Sequence, residues 1–191
     1  MTRLTVVGEN WWPLPVDADD VDAEVAALVH AERGPGPGAE SLIVDLVSLT
    51  RGAEEQDATF ACVLPDLDLS ASLAYLQCVA TEMSDESAGS ADETGLITSM
   101  IEAYRGDPDL ADAEIADFQT QAGRAVRVHS TGAGLTPIGK SRSVVETISY
   151  VVPRPDLGAL IRLDVAWEAI ALSEQLIEAA DAVAATLNVS D

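Results

Sequence analysis

The feature that most restricts how this chain can fold is the order of segments in its second half. Three or four strands are expected in series, from the β-prone runs Ala113 to Gln119, Arg124 to Ser130, Ser143 to Val152 and Ala159 to Val165. Parallel neighbours need a crossover connection, so strands strung together this way form an antiparallel meander. In the third run Val144, Ile148, Tyr150 and Val152 share one face, interrupted only by Glu146. An apolar stripe at helical spacing then closes the chain: Ala169, Leu172, Leu176, Ile177, Ala180, Val183, Ala184 and Leu187, with Glu174, Gln175, Glu178 and Asp181 opposite. A helix so patterned is expected to lie across the sheet, its alanines permitting close approach.

The first half supplies further elements. Leu4 to Val7 reads as a short strand. Pro13 and Pro15 should then keep Trp11 and Trp12 in irregular backbone. Asp17, Asp19 and Asp20 can cap a helix carrying Val21, Val25, Leu28 and Val29, which Gly34-Pro-Gly-Pro-Gly38 should end. Leu42, Ile43, Leu46, Val47 and Leu49 fit a second helix, starting near Glu40 or Ser41 and ending near Gly52, although a strand is also compatible. Ala58 to Leu64, stopped by Pro65, and Ser72 to Met83 read as a hairpin, Ser84 to Gly95 as a surface loop, and Leu96 to Tyr104 as a short helix ended by Gly106. No internal repeat is present. The expectation is a single α+β domain over residues 1–191, an antiparallel sheet of about five to seven strands flanked by helices.

Composition narrows the function. Apolar residues make up 48% of the 191, enough for a core, and no run reaches the length of a membrane-spanning helix. Ten basic residues face 33 acidic ones, a formal net charge of -23, which argues against nucleic acid as a partner. The start of the chain lacks the apolar core of a signal peptide, so a cytoplasmic protein is expected. Cys62 and Cys78 sit in apolar stretches and read as buried thiols.

One motif is sharp. Gly134-Leu-Thr-Pro-Ile-Gly139-Lys140-Ser141 matches GxxxxGK(S/T), the phosphate-binding loop, in every letter. That chemistry needs a helix whose N-terminus faces the phosphates. Here the next residues are β-branched and end at Pro153, Pro137 removes a backbone donor, and too few residues remain for a parallel nucleotide-binding sheet. A glycine-rich hairpin loop is the favoured reading. A metal-binding Asp164 at a strand end is a weak second signature, interrupted by Arg162. His30 and His129 lack zinc spacing, and Asp66/Asp68 and Asp107/Asp109 lack the frame of a calcium loop. No catalytic constellation is visible, so no enzyme activity, cofactor or metal is expected.

Charge is unevenly laid out. Arg124 to Arg162 holds six basic residues, among them Arg142, Arg154, Arg162 and the sole lysine, Lys140, against Glu146 and Asp156. This window is net +4, leaving -27 for the remainder. It reads either as a docking face for an acidic partner or as arginines paired with the chain's own carboxylates, the second being favoured. Trp11 and Trp12 pose a similar choice between a binding hot spot and an anchor to the core.

Arg142-Ser-Val-Val-Glu-Thr-Ile-Ser-Tyr-Val-Val-Pro-Arg-Pro-Asp156, Leu160-Ile-Arg-Leu-Asp-Val165 and Asp181-Ala-Val-Ala-Ala-Thr-Leu187 together resemble the end of proteins with the PsbP-like fold. The likeness covers about the last 50 residues, and the first 110 match only in element order. It implies an antiparallel sheet with packed helices. Members of that superfamily look mostly non-catalytic: an extrinsic photosystem subunit, a nuclear-transport GTPase regulator, and bacterial secretion adaptors or chaperones. The expected function is that of an adaptor, chaperone or assembly accessory binding another protein, with Trp11, Trp12, Arg142, Arg154 and Arg162 as candidate contacts. The alternatives are a small-ligand or nucleotide-binding protein using residues 134–141, and a structural subunit of a larger assembly.

Overall fold

A computed structural model describes residues 3–66, 71–83, 93–134 and 143–190. In chain order the elements are β1 (Arg3–Thr5), β2 (Trp12–Leu14), α1 (Val21–Arg33), α2 (Pro37–Glu55), β3 (Phe60–Asp66), β4 (Ala71–Glu82), α3 (Glu93–Gly106), β5 (Glu114–Thr120), β6 (Gly123–Gly134), β7 (Ser143–Arg154), β8 (Ala159–Trp167), α4 (Ser173–Ala185) and β9 (Asn188–Ser190). The fold is α+β. Seven strands form one antiparallel sheet in the order β2-β3-β4-β8-β7-β6-β5, and β1 and β9 make a separate two-stranded ribbon.

The serial strands pair as their order requires, β5 to β6 to β7 to β8, and β4 joins the free side of β8. Alternation then divides the sheet. One face carries Leu76, Cys78, Ala125, Ile148, Tyr150, Val152, Leu163, Val165 and Trp167, over which α4 lays Leu176, Ala180, Val183 and Ala184. The β5–β6 turn is tied to the end of this helix, since the Gln121 and Ala122 N–H groups donate to the carbonyls of Ala185 and Leu187 at 3.1 and 2.7 Å.

The opposite face is covered twice. The α1–α2 pair packs Val21, Val25, Val29, Leu42, Leu46 and Leu49 on Ala61, Val63, Tyr75 and Val79. Further along, α3 packs Ile97 on Val126 and Val128. The Asp20 side chain accepts from the Ala23 N–H at 3.1 Å and starts α1, while Gly34, at φ 82°, ends it.

Four details differ from the sequence expectation. Helix α2 begins at Pro37, inside the stretch expected to be loop, because proline's fixed φ and missing N–H suit the first helical turn. Trp12-Pro13-Leu14 is not irregular. It is an edge strand with Pro13 opposite Cys62, and an edge is where a strand tolerates a residue without an N–H. Pro65 does not stop β3, which bulges between Leu64 and Pro65 and continues to Asp66. Residues 188–190, beyond the helical stripe that ends at Leu187, form a strand that the sequence pattern does not indicate. Residues 84–92 of the expected surface loop lie outside the described residues, and residues 93–95 belong to α3.

Candidate binding site

Of the residues singled out in the sequence, Gly134 closes β6, and Gly139, Lys140, Ser141 and Arg142 lie outside the described residues. Where a phosphate loop would need a helix, strand β7 begins at Ser143. The two tryptophans part company. Trp11 packs on the core beneath α4, close against Gly8, and Trp12 packs on the core of the α1–α2 pair, so each half-buried ring anchors its own face.

The arginines of the meander meet the chain's own carboxylates. Arg154 forks onto both oxygens of Asp156 at 2.9 and 2.7 Å and also donates to the Ala122 carbonyl at 3.3 Å. Its hydrogen bonds, aided by its charge, hold the Asp156 carboxyl below the usual range. Arg162 Nε donates to Asp164 Oδ2 at 2.8 Å, and Arg124 pairs with Asp117. Arg127, 8% exposed, donates through Nε to Asp181 Oδ1 at 2.8 Å.

Two polar clusters lie on the α4 face. In the first, the Tyr150 hydroxyl joins Arg127 on Asp181 Oδ1 at 2.5 Å. This links the centre of the sheet to the middle of α4. The second explains the carboxylate that interrupts the apolar face of β7. Glu146 Oε2 accepts from Trp167 Nε1 at 2.7 Å and from Ser173 Oγ at 2.5 Å, binding β7, the end of β8 and the first residue of α4 together. Beside it, His129 stacks on Trp167 with ring centroids 6.3 Å apart, and its Nε2 lies 3.8 Å from Glu146 Oε1, too far for a hydrogen bond. The serine and the histidine both face this carboxylate, and no nucleophile–base hydrogen bond is formed between them. In the sequence Glu146 reads only as an interruption. A lone acid on an otherwise apolar strand face was the signal that it is held.

On the other face the α1–α2 pair and α3 cover two separate clusters. Across this face runs a polar row set by register, Gln77 opposite Asp164 and Asp164 opposite Ser149. Ser149 Oγ donates to Asp164 Oδ1 at 2.6 Å, and Gln77 accepts from the Tyr75 hydroxyl at 3.0 Å and donates to Gln56 Oε1 at 2.8 Å. Four residues further along β7 and β8, a pocket of about 540 Å³ opens between α3 and the strands, with Pro153 opposite Leu160. It is lined by Met83, Leu96, Met100, Tyr104, Pro153 and Leu160, with Glu82, Ser99 and Ala103 at the same site. Burial and the negative charge of Asp164 raise the Tyr104 hydroxyl, against the opposing effect of Arg162, so it stays protonated. Nothing in the sequence flagged this pocket, because its lining comes from three segments far apart in the chain.

Cys62 and Cys78 are buried free thiols on the α4 face, and burial pushes both up, Cys62 to about 12. Among the described residues no group of His, Cys, Asp or Glu side chains is arranged to hold a metal ion, and no helix is long and apolar enough to cross a membrane.

No family model matches the chain, and no curated protein matches it. Among solved structures the chain is similar to LpqN of Mycobacterium tuberculosis, described as involved in cell envelope biogenesis, at 10% identity and a TM-score of 0.49, over 100% of this chain and 85% of that one. A likeness this remote does not carry a function across.

Proposed function

We propose that the protein is a non-catalytic accessory, of the adaptor or chaperone kind, that binds the basic surface of another protein. The observation that carries this reading is where the arginines go. Five of the nine, Arg51, Arg124, Arg127, Arg154 and Arg162, are ion-paired with carboxylates of the same chain. With 33 acidic residues against 10 basic, pairing leaves most of the carboxylates facing outward. Such a surface accelerates encounter with a positively charged partner and repels acidic ones.

Two further features support the reading. The carboxylates of buried Glu146 and half-buried Asp181 spend their hydrogen bonds on holding α4, rather than on activating a nucleophile. The end of the chain also resembles the PsbP-like superfamily, whose members look mostly non-catalytic. Affinity purification of the tagged chain from cell extract, with the bound fraction eluted by a salt gradient, tests the proposal. A stoichiometric basic protein released as ionic strength rises is the expected result. A partner of acidic surface, retention indifferent to salt, or turnover of a small substrate by the purified chain would overturn it.

A further inference from the structure

We propose that the pocket between α3 and the sheet is a binding site for a small uncharged amphiphile, with an apolar body and one hydrogen-bonding group. This inference is independent of the protein-partner reading, since it rests on an apolar pocket and not on the acidic surface.

Three observations converge there. The pocket, at about 540 Å³, lies in the size range of small-molecule sites, and most of its lining is apolar. The chain has three methionines, Met1, Met83 and Met100, and the two that follow the first residue both line this pocket, one from the end of β4 and one from α3. Methionine is flexible and polarisable, and surfaces that adapt to the shape of a ligand use it heavily. The third observation concerns the tyrosines. Tyr75 and Tyr150 each donate a hydrogen bond, to Gln77 and to Asp181. The hydroxyl of Tyr104, the third, makes no hydrogen bond among the described residues, and it sits in the pocket and stays protonated. A half-buried donor beside an apolar surface fits a ligand that brings an acceptor.

Charge decides the ligand class. Glu82 is the one charged side chain among the described lining residues, and Asp164 lies behind Tyr104 already satisfied by Arg162 and Ser149. An anionic head group would meet a rim carboxylate on a chain of net charge -23. An alcohol, ester or amide head group carries no charge for Glu82 to repel and can accept from the Tyr104 hydroxyl.

The test uses the full chain and the uncharged probe N-phenyl-1-naphthylamine, whose fluorescence rises in apolar surroundings, with decan-1-ol and decanoate as competitors of equal chain length. Saturable binding of one probe per chain is expected, with decanoate displacing it roughly tenfold more weakly than decanol. Ala103→Trp, on an exposed part of α3 that lines the pocket, should abolish binding, and Ser99→Trp serves the same purpose should the first variant melt early. Glu102→Trp, exposed on the same helix outside the lining, should bind like the parent chain. Tyr104→Phe should weaken decanol roughly fivefold, the worth of one hydrogen bond. Unaltered probe binding in folded Ala103→Trp and Ser99→Trp would overturn the site. Displacement by decanoate as readily as by decanol would overturn the ligand class.

Discussion

Single side chains carry much of the specification in this molecule. Gly8 is one. A methyl group placed there would come within 2.6 Å of the Trp11 ring and 3.0 Å of Val183, so the loop before β2 can lie against α4 only because the position is bare. Gly8→Ala is expected to cost about 1–3 kcal/mol, read as a lower urea midpoint with an unchanged slope. Glu146 is another. Replacing it by alanine leaves the indole N–H of Trp167, a fully buried residue, without its acceptor, and releases the first residue of α4. Stability should fall by about 2–3 kcal/mol, with a change in near-ultraviolet circular dichroism as the Trp167 environment loosens. Glu146→Gln, which keeps a carbonyl acceptor, should recover part of that loss.

At the scale of elements, the alanines of α4 set how closely the helix sits on the sheet. Ala180 and Ala184 are fully buried against the core that includes Tyr150 and Leu163. Ala180→Leu should therefore overpack the interface and cost about 1–3 kcal/mol, whereas Ala182→Leu, exposed on the same helix, should be nearly neutral in thermal melting. The strand that follows the glycine-rich segment bears on nucleotide binding. With β7 starting at Ser143, Mg-ATP should leave the melting temperature unchanged, and a rise that Lys140→Ala removes would contradict this.

Elements with strong periodicity were legible in the sequence: α1, the stripe of α4, and the strands β5 to β8. What escaped was context. Pro13 and Pro65 look like strand breakers until the edge position and the bulge that accommodate them are known. Asn188–Ser190 has no pattern of its own and becomes a strand through pairing with Arg3–Thr5, a partner at the other end of the sequence. The pocket was invisible for the same reason, since Met83, Met100 and Leu160 become neighbours only when the sheet has formed.

For the whole molecule, burial gives a dependence on pH. Cys62, Cys78, Tyr75 and Tyr150 are all raised, chiefly by desolvation, so each keeps its proton in the folded chain at pH values where the unfolded chain loses it. The unfolded state then binds fewer protons and stability falls as pH rises. The contribution of Cys62 is intact below pH 9.0 and is lost progressively toward about 12. Each such group adds a slope of about 1.4 kcal/mol per pH unit within its own window. Urea midpoints measured at successive pH values should be level on the acid side of this range and drop steeply on the alkaline side. Replacing both cysteines by alanine should make that drop shallower.

The ribbon of β1 and β9 is reinforced where the Val7 N–H donates to Thr186 Oγ1 at 2.8 Å, across a separation of 179 residues. Strands brought side by side in this way make the linear order of the chain interchangeable. A short glycine linker joining Ser190 to Arg3 would convert the ribbon into a hairpin and the polypeptide into a ring, which could be reopened at the exposed stretch Gly106–Asp109 between α3 and β5. Such a circular permutant should refold to the same sheet, with new ends beside α3 from which a reporter could be hung.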